Sequence, residues 1–348
     1  MNLREKAQDR EIKQLSSFAA KSIDYLHSRD REEPVCEVRT VFQRDCHRIV
    51  HSKAFRRLRG KTQVFLWPKG DHYRTRLTHC MEVAQVARTI SRALDLNEDL
   101  TEAIALGHDL GHTAFGHAGE GVLQKLHPNG FRHEVQSLRV VELLEKDGAG
   151  LNLTPPVRDG IVNHSKGAGP LLDVDKSTLP NTLEGQIVRL SDIVAYVHHD
   201  LDDAMRAKVI SSKDLPESIT KIFGDTHSAR LTFMINNIIT STIEDQYERI
   251  SMSRNVAAAL EELRRFLYER VYYNSQVHQE FNKATKLIES LWDYFINDEE
   301  LFYSEYWKRT EDNRVIEDDI RDFIAGMTDA YASSLFEKIF TPRRWYIY

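Results

Sequence analysis

Four residues of this 348-residue chain have the chemistry of ligands for one divalent cation: His79, the adjacent pair His108 and Asp109, and Asp192. An imidazole nitrogen beside a hard carboxylate suits Mn²⁺, Fe²⁺, Mg²⁺ or Zn²⁺ better than copper or an iron–sulfur cluster, and nothing in the spacing selects among the four. Neighbours on a helix diverge by about 100°. His108 and Asp109 can therefore share an ion only at a helix end or with ligands from other helices. His79 lies 29 residues before His108 and Asp192 lies 83 after Asp109. Asp192 is flanked by Leu190, Ile193 and Val194, and a carboxylate in such apolar surroundings is costly unless a cation or strong hydrogen bonds meet it.

A second group surrounds the pair. Seven of the fifteen histidines fall between His72 and His133, among them His112, His117 and His133, and Glu120 follows His117 by three residues. Upstream, Arg39 to Arg76 holds eleven Lys and Arg against two Asp, inside a chain of net charge −6. A local cationic excess beside a histidine cluster is expected to wall a pocket for an anion.

The elements that must position these groups read as helices. Leu77 to Leu94 carries Leu77, Met81, Ala84, Ala87 and Leu94 at helical spacing, and Asn97 is placed to cap the next helix. Val135 to Leu144 and Leu183 to Met205 repeat the pattern, the latter with Ile187, Leu190, Val194 and Val197. Further helices are predicted at 228–247, 253–270, 276–296 and 315–340. The best strand candidate is the short stretch Glu37 to Phe42. The fold class is therefore all-α, a multi-helix bundle in one domain spanning 1–348. Its motif core is placed at about 39–205, with C-terminal helices at about 228–340 completing the pocket.

Hydrophobic residues make up 41% and charged residues 29%, which excludes disordered and collagen-like classes. The longest uncharged apolar-leaning run, Leu231 to Ile243, is well short of the ~20 residues that cross a membrane. Cys36, Cys46 and Cys80 form no C-x-x-C pair, and the N-terminus is charged from its fourth residue. A cytoplasmic location is expected. No P-loop and no strand-anchored G-x-G-x-x-G occurs, so a phosphate ester would be handled by other means.

His79, His108–Asp109 and Asp192 match the motif of the HD-domain metallophosphohydrolases. The runs Phe55–Phe65, Arg74–His79, Gly107–Glu120, Glu184–Asp192 and Ala195–Asp200 resemble, in order, those of the bacterial dGTPase-like dNTP triphosphohydrolases. The resemblance extends from about Arg39 to Tyr273. It implies hydrolysis of a deoxynucleoside triphosphate to deoxynucleoside and tripolyphosphate, with water attacking the α-phosphorus and a divalent ion held by those four residues. By the same resemblance His117 is the catalytic histidine, Glu120 orients it, and His133 is a further catalytic-site histidine. His112, Arg76 and Arg264 would contact phosphates, with Arg265 an equally basic neighbour of the last. Gln63 and Asp200 would bind the 3′-hydroxyl, while Tyr196 and Tyr272 would pack on the deoxyribose and exclude a 2′-hydroxyl.

Nothing in the sequence marks guanine, so dGTP and the other dNTPs stand equal. The resemblance also implies a homo-oligomer, hexamer or tetramer, and admits a dNTP effector and weak single-stranded DNA binding; no membrane contact is expected. Two other readings compete. One is an HD phosphodiesterase or phosphatase on another nucleotide. The other is a non-catalytic nucleotide or single-stranded nucleic acid binder using residues 39–76, although aromatic interleaving there is thin (Phe42, Phe55, Phe65, Trp67, Tyr73).

Overall fold

A computed structural model describes residues 1–63, 73–165, 171, 175–308 and 315–342, the side chains of 275–277 excepted. Phe65, Trp67 and Lys69 lie outside the described residues. The helices are α1 (Leu3–Gln14), α2 (Val41–Val50), α3 (Lys53–Arg57), α4 (Arg76–Ala93), α5 (Glu98–Gly107), α6 (His117–Leu126), α7 (His133–Arg139) and α8 (Pro155–Val162). They continue with α9 (Leu183–Arg206), α10 (Glu217–Phe223), α11 (His227–Glu244), α12 (Arg254–Leu267), α13 (Ser275–Ile296), α14 (Glu299–Leu301), α15 (Ile316–Ala325) and α16 (Asp329–Phe340). Among the described residues β structure is limited to one isolated bridge, Thr62 to Thr75. The all-α class follows.

The expected strand at Glu37 to Phe42 is not formed. Thr40 and Gln43 make a reciprocal capping box that starts α2 at Val41, and the Arg39 amide donates to Cys36 Sγ at 3.4 Å. Local capping therefore outweighs the weak alternation. Along α4 the buried stripe is Cys80, Val83, Ala84, Val86, Ala87 and Ile90, whereas Met81 is exposed. Ala84, Ala87 and Leu94 are buried as the spacing predicts, and Met81 alone departs from the expected stripe, with Cys80 and the polar His79 turned inward beside it. Three predicted helices are interrupted before their expected ends, and α11 stops at Glu244 rather than at 247. α7 and α12 pass into π turns at Val140–Leu144 and Tyr268–Tyr272, and the 315–340 segment breaks at Gly326, where Thr328 caps α16.

α4 packs on α5 and α9, and α5 in turn meets α2, α8 and α9. The buried Ile187, Val194 and Val197 anchor the 24-residue α9 in this main core. A second cluster joins Ala114, Phe115, Ala118, Val122 and Leu123 to Ile288, Leu291, Trp292 and Phe295 of α13 and to Ile320 and Ile324 of α15. The buried Lys61 ammonium donates to the carbonyls of His112 and Ala325, tying the two regions together.

Glu184, at the start of α9, accepts hydrogen bonds from the amides of Ala20 and Asn97, both at 3.0 Å. Burial raises its carboxyl from 4.5 to about 7. A folded-state value above the unfolded one contributes stability that is present below pH 4.5 and lost as pH rises through 7. The stability of wild type minus that of E184Q is thus expected to fall by roughly 2–3 kcal/mol between pH 4 and pH 8. Urea unfolding across that range measures it, and a flat difference would contradict the assignment.

Candidate metal centre and its cavity

α5 ends at Gly107, so His108 and Asp109 occupy the turn that follows rather than neighbouring faces of a continuous helix. The turn is clamped from α7, where Ser137 Oγ donates to the His108 carbonyl at 2.7 Å and accepts from the Gly111 amide at 2.8 Å. Gly111 is required here, because a Cβ would lie 2.1 Å from the Ser137 nitrogen. His112 therefore does not sit one helical turn beyond His108, as a continued helix would have it. It reaches the same place through the turn, with its Nε2 3.4 Å from Asp109 Oδ1.

His79 comes from α4 and Asp192 from α9. The His79 Nε2 to Asp192 Oδ1 separation is 3.0 Å, and His108 Nε2 lies 3.5 Å from Asp109 Oδ1 and 3.9 Å from Asp192 Oδ1. His79, His108 and Asp109 offer ligand atoms within 4.8 Å of one another, as do His108, His164 and Asp192. His108 Nδ1 faces the Ala105 carbonyl at 2.7 Å and so carries the proton. Its Nε2 is buried without a hydrogen-bond partner. A buried lone pair facing two carboxylates is an arrangement that a cation completes, and the four residues fit a divalent ion. Burial would raise the Asp109 carboxyl, but His112, His108 and Arg76 hold it well below the usual range. Arg76 Nη1 donates to Asp109 Oδ2 at 2.8 Å.

Beside this cluster, Phe115 and Gly116 take positive φ of 58° and 54° before α6 begins at His117. A left-handed Phe is uncommon, and here the Asp329 carboxylate of α16 accepts its amide at 2.8 Å and also the Thr62 amide at 2.9 Å. Glu120 divides its oxygens between two histidines. His117 Nδ1 is 3.4 Å from Oε2, whereas His133 Nδ1 is 2.9 Å from Oε1. Burial would depress the His133 imidazole, but Glu120 more than offsets it and raises the ring above its ordinary value. His133 also stacks on His112 at 3.9 Å and meets His164 Nε2 at 3.3 Å.

These groups open into a cavity of about 670 Å³. It is lined by Gln63, Arg76, His79, Asp109, His112, His117, Glu120, His133, Asp192, Tyr196, Asp200, Arg264 and Tyr272, with His108 buried behind. The fold thus brings together the four candidate ligands and the ten candidate catalytic and substrate-binding residues other than Arg265. Arg264 lines the cavity, 5.9 Å over the Tyr196 ring, whereas Arg265 is exposed.

The basic stretch behaves differently from its expectation. Of its described cations only Arg76 lines this cavity. Arg44 and Arg48 pair with Glu33, Lys53 with Asp147, and Arg74 with Glu82 and Asp203, while Arg56, Arg57 and Arg59 are exposed. Four of these cations therefore pair with acids outside the stretch and three stay exposed, so apart from Arg76 the described cations build no wall of the cavity. Phe42 and Phe55 are core residues, unavailable for stacking on bases.

Two family matches divide the chain: the HD domain covers residues 76–197, and the phosphohydrolase-associated domain covers 250–338. Three relatives carry the name deoxyguanosinetriphosphate triphosphohydrolase-like protein. That of Caldanaerobacter subterraneus is 51% identical over 99% of this chain and 98% of its own. That of Desulfatibacillum aliphaticivorans is 49% identical over 98% and 99%, and that of Clostridium tetani 42% over 99% and 97%. The chain belongs to this HD-domain family. The two matched regions meet at the cavity, since Arg264 and Tyr272 lie in the second and the metal cluster in the first.

Sequence reasoning missed two histidines of this HD-family site. His164 has no motif around it and arrives through the packing of α8. His199 carried a readable signal, since it lies seven residues after Asp192 on α9 and hence on its face. It contacts His79 Nδ1 at 2.8 Å and Asp200 Oδ1 at 2.7 Å.

Proposed function

We propose that the chain is a divalent-metal-dependent triphosphohydrolase that converts deoxynucleoside triphosphates to deoxynucleoside and tripolyphosphate. One observation carries this reading. Buried polar atoms without partners converge on the cavity: His108 Nε2, His112 Nδ1, Arg76 Nε, Arg264 Nε and Gln63 Oε1. Twelve further such atoms lie elsewhere among the described residues, but five around one cavity are a density that a ligand would satisfy. Three are donors or cations suited to phosphate oxygens, one is an acceptor suited to a hydroxyl, and one is a metal-ligating lone pair.

His79, His108, Asp109 and Asp192 would hold the ion, whose identity among Mn²⁺, Mg²⁺, Fe²⁺ and Zn²⁺ is open. When bound, it would polarise the α-phosphate and acidify a water. Arg76, Arg264 and His112 would neutralise the polyphosphate and fix its register. Gln63 and Asp200 would take the 3′-hydroxyl, with Tyr196 and Tyr272 against the sugar. His117, at the rim and within reach of Glu120, would give the proton that the departing 5′-oxygen needs. His133, held by Glu120 from the other side, would orient that carboxylate.

The relatives' name, deoxyguanosinetriphosphate triphosphohydrolase-like protein, supports dGTP among the substrates. On the family resemblance we further propose a homo-oligomer of four or six chains, a dNTP effector and weak single-stranded DNA contact. No described helix is long and apolar enough to cross a membrane. The three free cysteines support a reducing cytoplasm. The test is turnover of each of the four dNTPs with Mn²⁺ or Mg²⁺, alone and mixed, with chromatographic identification of products. Release of pyrophosphate or orthophosphate as first product would favour another HD phosphohydrolase activity. Absence of turnover with every ion would favour a nucleotide-binding role.

A further inference from the structure

Behind the cavity a continuous hydrogen-bond chain runs from the sugar end to the metal cluster. Tyr272 donates its hydroxyl to Asp200 Oδ2, Asp200 Oδ1 meets His199 Nδ1 at 2.7 Å, and His199 Nε2 meets His79 Nδ1 at 2.8 Å. His79, His199 and Asp200 are all buried, so water does not compete for these bonds. The polarity of the chain follows from donor inventory with His199 as a neutral ring. Asp200 can only accept, so His199 carries its proton on Nδ1 and leaves Nε2 as an acceptor. His79 must then donate from Nδ1, and its Nε2, 3.0 Å from Asp192 Oδ1, is the nitrogen on which a bound cation would replace the proton now shared with that carboxylate.

We propose that His199 is a positioning residue that sets the tautomer and ring orientation of His79, and that it thereby couples occupancy of the sugar end to metal affinity. The inference rests on the reading of His79 as a ligand and of Asp200 and Tyr272 as sugar contacts. A histidine ligand whose second nitrogen is oriented by an acceptor binds metal more tightly, and loss of such a partner costs about 10–100-fold in affinity. Here the acceptor is another histidine, oriented in turn by the carboxylate that would face substrate. Metal binding and sugar binding are then linked reciprocally: a hydroxyl donated to Asp200 draws charge from the acceptor of the His199 proton and so loosens the metal, and the metal loosens the deoxynucleoside by the same factor.

The test measures Mn²⁺ binding by calorimetry to the substrate-free, full-length protein, with and without deoxyguanosine. Wild type is expected to bind one Mn²⁺ and to bind it more weakly with deoxyguanosine present. H199L, which can neither accept nor donate, is expected to bind Mn²⁺ about 10–100-fold more weakly and to lose the effect of deoxyguanosine. H199Q can accept through Oε1 and donate through Nε2, and is expected to recover most of both. Wild-type Mn²⁺ affinity and coupling in folded H199L would overturn the proposal while leaving the proposed function intact. Failure of the wild type to bind Mn²⁺ would overturn both.

A measurement without a variant guards against misfolding of H199L. In ¹⁵N-histidine-labelled wild type loaded with Zn²⁺, long-range nitrogen–proton correlations are expected to place the protons of His199 and His79 on Nδ1. A proton on His199 Nε2 would overturn the proposal.

Discussion

Asp109→Ala is expected to abolish turnover, lowering kcat by at least about 10³-fold, and to remove stoichiometric Mn²⁺ from the protein. Asp109 supplies the negative charge nearest to His108 and His112, and it also neutralises Arg76 across a 2.8 Å bond. Its loss therefore does two things. The metal cluster loses its buried carboxylate, and a fully buried guanidinium loses its anion. The second effect alone costs about 3–5 kcal/mol. Asp109→Asn separates the two, because the amide keeps the shape while withdrawing the charge. Calorimetric Mn²⁺ titration and steady-state kinetics on both variants, with far-UV circular dichroism as the check on folding, decide the matter. His79→Ala is expected to behave likewise in metal binding, without the charge defect at Arg76. Normal metal content and turnover in either alanine variant would remove that residue from the ligand set.

His117→Ala is expected to lower kcat by about 10²–10⁴-fold while leaving Mn²⁺ affinity and KM close to wild type. The split follows from where the residue stands. His117 opens α6 at the rim of the cavity, exposed, and contacts none of the four proposed ligands. It has no part in building the metal cluster, so its removal deletes proton donation and little else. Glu120→Gln is expected to act more broadly. Glu120 Oε1 holds both the backbone amide and the ring of His133, at 3.0 and 2.9 Å, and His133 in turn stacks on His112. Its variant should therefore raise KM as well as lower kcat. Full activity in His117→Ala would sink the general-acid assignment, and a change confined to KM would recast His117 as a binding residue.

The site was legible in the sequence because its chemistry is rare by type. A His–Asp pair after Gly107 and an aspartate inside an apolar helix stand out by type, whereas His117 and Glu120 are read through the family resemblance. The long helices were legible because their stripes are buried over many turns, as along α9 with Ile187, Val194 and Val197. What escaped was set by contacts distant in sequence. The basic stretch read as one surface, yet Arg74 folds onto Asp203 of α9 and Lys53 onto Asp147, pairings that no local pattern announces. His164 reaches His133 only because α7 packs on α8. At Glu37 to Phe42, capping by Thr40 decided the local structure against two-residue alternation. The break at Gly326 was hidden because Ile316–Ala325 and Asp329–Phe340 are each amphipathic, and only the cap at Thr328 separates them.

The central claim is cleavage at the α-phosphorus with departure of an intact tripolyphosphate. Its most direct test is hydrolysis of a dNTP in ¹⁸O-water with Mn²⁺, followed by mass spectrometry of both products. Attack at phosphorus predicts one ¹⁸O in tripolyphosphate and an unlabelled deoxynucleoside. Label in the deoxynucleoside, or the appearance of deoxynucleoside monophosphate with pyrophosphate, would contradict it.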